Sequence, residues 1–348
     1  MDASPGEERG IEAAPSQVAL RYRQVEAPPV RSFLGAVADP RVGWATADEQ
    51  IAASGATEAI EATGPGRFDR VRSVADRLLA SVTVPEDLPR AARPRLFGGL
   101  AFHGDHDAET DHVWRGFPGA YFVLPAVQLT VTDDGAWLTT TAAGEGAVAT
   151  AENRLDNWRN RLDDLPRRGS TTKPGIEARR PTTGKREWNA QVRSAVDSVR
   201  EGRLRKVVLA QALSVDLGGD LDVPATLSRL GTSCPDCYRF LFQPPGAGTF
   251  FGATPERLVG LEGRTVRTTA LAGSTGRGET TEEDDWLAAE LRDSEKDAHE
   301  HALVVEAIRD QLEPVADHVS TGDRTVRRLP TVQHLQTPIR ASLSTDAH

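Results

Sequence analysis

The chain has 348 residues, of which 39% are hydrophobic and 26% charged, and its formal net charge is −10. That is ordinary globular composition, enough for about two domains, and it excludes collagen-like, disulfide-scaffold and wholly disordered chains. No basic run is longer than Arg203-Leu204-Arg205-Lys206, so the acidic balance argues against a nucleic-acid partner, whose phosphates select basic surfaces.

Two cysteines, Cys234 and Cys237, cannot staple a chain of this size, which fits a reducing compartment. The first residues are polar and acidic where a signal peptide would be basic and then apolar. No apolar run approaches the roughly 18 residues that span a bilayer. The expectation is a soluble cytoplasmic protein with no membrane or nucleic-acid partner.

In chain order, residues 1–17 are rich in Ala, Pro, Gly and Glu without apolar periodicity and read as a disordered lead. Residues 18–166 read as an N-terminal α/β half. It has a helix near 70–79 and strands at 96–102, 121–124 and 127–131, separated by Gly and Pro. Residues 167–184, rich in Gly, Pro and Thr, read as a linker. In 185–348, Trp188, Val192, Ala195, Val196 and Val199 share one face of a helix. A strand is expected over 206–215, and further strands at 238–243, 249–252, 257–261 and 265–269, with a hairpin turn at Glu262-Gly263-Arg264. Helices over 282–291 and 295–312 follow.

Several residues stand out chemically. In the helix over 295–312, Glu300 lies one turn before Val304 on the face carrying Leu303, Ala307, Ile308 and Leu312. A carboxylate there must be ion-paired, protonated or metal-bound. Only four of the 41 Lys and Arg residues are lysines. Lys206, at the head of an apolar strand, therefore suggests a role needing an amine that can lose its proton; retention by chance at a strand edge stays open. Glu256 follows Pro255 in a turn, either aimed by it or simply solvated. Ala270-Leu271-Ala272-Gly273-Ser274 ends a strand in small residues, whose backbone N–H groups can approach an anion. Cys234-Pro235-Asp236-Cys237 is a single CxxC with no second pair to complete a zinc site, and reads as a loop before a strand. His103, His106 and His112, interleaved with aspartates, read as a solvated connection rather than a metal cluster.

Six collinear segments carry a resemblance: Lys206-Val207-Val208-Leu209-Ala210; Phe251 to Val259 around Thr254-Pro255-Glu256-Arg257; Thr269 to Ser274; Arg277-Gly278; Ser294 to His301; and Val332-Gln333-His334-Leu335-Gln336-Thr337. Together they resemble the chorismate-utilising enzymes, and most closely the isochorismate synthases, strongly over 185–341 and more weakly before it. The resemblance implies an α/β (α+β) fold of large, mostly antiparallel sheets flanked by helices. It implies an isomerase that converts chorismate to isochorismate with Mg²⁺, for menaquinone or siderophore biosynthesis. By position, Lys206 is the general base, Glu256 the general acid and Glu300 a Mg²⁺ ligand. Ala272, Gly273, Ser274, His334 and Thr337 contact the substrate. Anthranilate synthases resemble one another in carrying glutamine at the position of Lys206, and aminodeoxychorismate synthases carry lysine at that of Ala272. Salicylate synthases share the pattern seen here, so salicylate or anthranilate synthesis is the alternative. Family members continue past the His334 motif to a second Mg²⁺-binding glutamate. The chain is thus expected to be C-terminally truncated, with 185–348 an incomplete catalytic region. An inactive fragment, or one that takes a separate C-terminal polypeptide, is the rival reading.

Overall fold

The computed structural model describes residues 17–110, 113–166 and 173–345. The expected lead over 1–17 lies outside the described residues except for Gln17, whose amide donates to Thr83 Oγ1 at 3.0 Å. His112 also lies outside them. Elements run β1 (Val18–Val25), α1 (Val30–Ala36), β2 (Arg41–Ala45), β3 (Glu49–Ala62), α2 (Arg67–Ala80), β4 (Phe97–Leu100), β5 (Ala120–Thr132), β6 (Gly135–Ala143), α3 (Ala147–Asp163), β7 (Ile176–Pro181), α4 (Lys185–Arg200) and β8 (Leu213–Leu217). They continue through α5 (Val223–Ser233), β9 (Tyr238–Gln243), β10 (Phe250–Thr254), β11 (Gly260–Glu262), β12 (Thr265–Gly276), α6 (Thr281–Asp293), α7 (Glu295–Leu312), β13 (Ala316–Thr321), β14 (Thr325–Arg328) and β15 (Val332–Leu343).

The chain divides into two units, Met1–Gly169 with Arg239–Gly252, and Ser170–Tyr238 with Ala253–His348. The first is built on an eight-stranded sheet of order β1-β6-β5-β3-β2-β9-β10, with β4 beside β5. Side chains alternate along each strand, so Val18, Leu20 and Leu124 pack with Leu78 of α2. Ala19, Leu129 and Leu138 instead face α1 and α3. The strands expected separately at 121–124 and 127–131 are one continuous β5. Pro125, which has no N–H to give a ladder, sits where β3 bulges between Ala56 and Glu58. The division is not a simple cut near 167–184, because β9, from the second half of the sequence, pairs with β2.

The second unit carries a sheet of order β11-β12-β15-β13, with β14 beside β15, and a two-stranded sheet β7-β8. The expected hairpin turn is present: Glu262 pairs with Thr265 across Gly263, whose φ is +56°. Helix α6 starts at Thr280, whose hydroxyl accepts from the Glu283 amide, and α7 at Ser294, whose hydroxyl accepts from the Asp297 amide.

Three expectations are corrected. Residues 176–181, assigned to the linker, form β7, because Arg179 to Pro181 find ladder partners in β8. The strand expected over 206–215 begins only at Leu213, because 206–212 have no ladder neighbour among the described residues; Val208 there is 77% exposed. Ala270 to Ser274 lie inside β12 rather than at its end, because β15 continues alongside them.

Candidate active site

The second unit contains an open groove of about 690 Å³. Arg203 to Lys206 form one wall and Glu256, Leu258 and Val259 another. Val266, Thr268 and Thr269 of β12 form the floor, and α7 contributes Leu303, Val304, Ala307, Ile308 and Leu312. The apolar stripe read on the 295–312 helix therefore lines this groove. Of the whole helix only His301 is fully buried.

Lys206 and Glu256 both face the groove, one from the unladdered segment and one from the turn after β10. Lys206 Nζ lies 3.2 Å from Glu300 Oε1, with side chains 27% and 37% exposed. Of the three states open to Glu300, ion-paired, protonated or metal-bound, the ion pair is what the side chains form. Glu256 is exposed, and its backbone N–H donates to Thr254 Oγ1 at 3.3 Å.

The residues expected to hold substrate fall on two faces of one sheet. Ser274 Oγ and His334 Nδ1 are 2.7 Å apart and are direct partners across β12 and β15. Burial pulls the His334 imidazole below its ordinary 6.5, against the nearby negative charge of Glu256. Glu256 thus acts on both the groove and this pair. Ala272 and Thr337 lie on the opposite, buried face, only 8% and 5% exposed. There His301 Nε2 meets Thr337 Oγ1 at 2.8 Å and His301 Nδ1 meets the Ala272 carbonyl at 3.2 Å. Two residues assigned to substrate contact are in this structure satisfied by a histidine from α7.

Gly273 separates the faces. It is the extra residue of a β-bulge between Ala272 and Ser274, with φ +77°, and a Cβ there would stand 3.2 Å from Asp297 Cβ and 3.3 Å from Leu335 Cδ1. Only glycine brings the strand this close to the start of α7.

His301 is the residue the sequence reading missed. Its signal was present, since a polar side chain sits one position after Glu300 on the face of α7 turned toward the sheet. Arg277 is also explained: its guanidinium grips Asp284 with Nε to Oδ1 at 2.6 Å and Nη2 to Oδ2 at 2.9 Å, while the Gly278 amide donates to Oδ1 at 3.0 Å. Gln333 of the last motif is fully buried and donates to the same carboxylate at 3.1 Å. These motif residues brace α6 against β12 and β15.

Among the described residues no group of three or more His, Cys, Asp or Glu side chains is arranged to hold a metal ion. Mg²⁺ keeps several waters and takes one or two protein carboxylates, so Glu300 suits it as a single arm. Likewise no helix among those residues is long and apolar enough to cross a membrane.

The chain is 34% identical over 311 residues to the salicylate biosynthesis isochorismate synthase of Pseudomonas aeruginosa, covering 88% of this chain and 63% of that protein. It thus spans less than two thirds of that relative's length. It is 29% identical to the isochorismate synthase MenF of Bacillus subtilis, over 93% of this chain and 71% of that one. The fold matches that of MenF, the menaquinone-specific isochorismate synthase from Escherichia coli, with a TM-score of 0.74 at 23% identity, over 96% of this chain and 73% of that one. The family model described as "Chorismate binding enzyme" matches residues 16–348, and the chain belongs to that family.

Proposed function

We propose that this protein is an isochorismate synthase, a chorismate isomerase whose product feeds menaquinone or siderophore synthesis. The observation that carries the reading is that Lys206 and Glu256 face one groove from two separate segments. An isomerisation of this kind adds water at one ring carbon while a hydroxyl leaves from another. It needs a base for the water and an acid for the leaving oxygen, held apart across the ring. Lys206 is the base, and it must give up its proton to act. Glu256 is the acid, and it must carry one. Ser274, positioned by His334, and the Gly273 backbone are the polar groups for the substrate's carboxylates.

Glu300 is the residue that would hold Mg²⁺, which supplies positive charge toward a doubly negative substrate. Ala272 and Thr337 are assigned to the wall behind the substrate, kept in place by His301. Identity to isochorismate synthases supports the reading, as does lysine rather than glutamine at 206.

Incubating the purified chain with chorismate and Mg²⁺ and separating the products tests this directly. Isochorismate without pyruvate is expected, and none with Lys206→Ala. Pyruvate release would instead establish a salicylate synthase, or an anthranilate synthase if it appears only when ammonia is added, and full activity in Lys206→Ala would remove the lysine from the mechanism.

A further inference from the structure

The Cys234-Pro235-Asp236-Cys237 segment takes no part in the proposed reaction. It closes α5, where the Cys234 amide donates to the Leu230 carbonyl at 2.8 Å. The Cys237 amide then donates to the Cys234 carbonyl at 3.1 Å. An i to i+3 bond of this kind folds a turn whose end Cα atoms lie within about 7 Å, the range a disulfide spans. Both thiols are free. They differ in access: Cys237 is 7% exposed, whereas Cys234 is half-buried.

Neither soft-metal binding nor thiol catalysis fits as well. Two thiolates are half of a tetrahedral zinc site, and no third ligand joins them among the described residues. The pair sits at the C-terminal end of α5, whereas catalytic CxxC nucleophiles sit at helix N-termini. Burial, followed by Cys234 itself, raises the Cys237 thiol, although the positive charge of Arg327 in β14 opposes this.

We infer that Cys234 and Cys237 are a reversible dithiol–disulfide site that exchanges with small-molecule disulfides such as oxidised glutathione. The accessible Cys234, as thiolate, attacks one sulfur of the small disulfide and releases one thiolate. Cys237 then loses its proton to solvent and attacks the Cys234 sulfur, releasing the second. Two protein thiols are oxidised and the small disulfide is reduced to two thiols. The bond closes a very short loop, so it removes little entropy from the unfolded chain. It is suited to switching rather than to stapling.

The test uses the folded chain in buffers of graded reduced-to-oxidised glutathione ratio, with EDTA present, counting accessible thiols after denaturation and mapping peptides by mass. Two thiols under reducing conditions should fall together to none, as one Cys234–Cys237 linked peptide, and dithiothreitol should restore both. Cys237→Ser should stop at a glutathione adduct on Cys234. Two thiols persisting at the most oxidising ratio, or a glutathione adduct as the wild-type end point, would overturn the inference, and the wild-type measurement decides even if the variant does not fold.

Discussion

Lys206 Nζ and Glu300 Oε1 stand 3.2 Å apart, so the assigned base and the assigned metal ligand of the proposed reaction are each other's ion-pair partners. A pair this exposed contributes only about 0.2–1 kcal/mol to stability. Lys206→Ala and Glu300→Gln should therefore leave urea unfolding nearly unchanged. Isochorismate formation should fall by about 100- to 10,000-fold in Lys206→Ala, the usual scale for losing a general base. A variant that loses activity only because it unfolds would contradict this separation.

His301 should behave in the opposite way. It is 2% exposed and joins Ala272 to Thr337, so His301→Ala leaves a cavity and two unmet polar groups. A loss of about 2–4 kcal/mol is expected. Chemical denaturation measures it, and a loss under 1 kcal/mol would mean the site collapses without cost.

Gly273→Ala should destabilise by at least about 1 kcal/mol, since alanine must adopt φ +77° and push against Asp297 and Leu335. A thermal melt is sufficient to see it. The same change at Gly263, where φ is +56° and nothing stands within 4 Å, isolates the backbone cost from the crowding.

Acid stability separates two groups. Arg277, with help from the Gly278 amide, holds the Asp284 carboxyl down to about 2, against an ordinary 3.8. Its contribution is present above 3.8 and is lost as pH falls toward 2. The stability gap between the wild type and Asp284→Asn should therefore narrow across that window. A constant gap would place the benefit of Asp284 elsewhere.

His334 works in a higher window. Burial depresses its folded-state value below 6.5, so the unfolded chain takes up the proton first. The stability of the neutral ring is complete above about 6.5 and declines as pH falls below it. Urea midpoints measured from pH 7.5 to pH 5 should fall less steeply for His334→Gln than for the wild type.

Much of this was readable in the sequence. The strong periodicity of Trp188 to Val199 gave α4, and the apolar stripe gave α7 at its observed limits, Glu295–Leu312. What escaped depended on partners distant in the chain. Alternation alone assigned Lys206 to a strand, but a strand exists only where a neighbour supplies a ladder. Ala272 and Thr337 looked like surface contacts because their burial depends on His301. The motif order located Lys206, Glu256 and Glu300, but their spacing could not show that the lysine and Glu300 carboxylate touch.

The bulge at Gly273 sets the parity of β12. Were Gly273 a regular paired residue instead of an extra one, Ala272 and Ser274 would project from the same side of the strand. With it, Ala272 joins Leu335 against α7 while Ser274 joins His334 on the other side. Pairing Gly273 with His334 as an ordinary ladder residue would consequently exchange inside for outside along the rest of the strand, carrying Ser274 away from His334 without altering any side chain named in the chemistry.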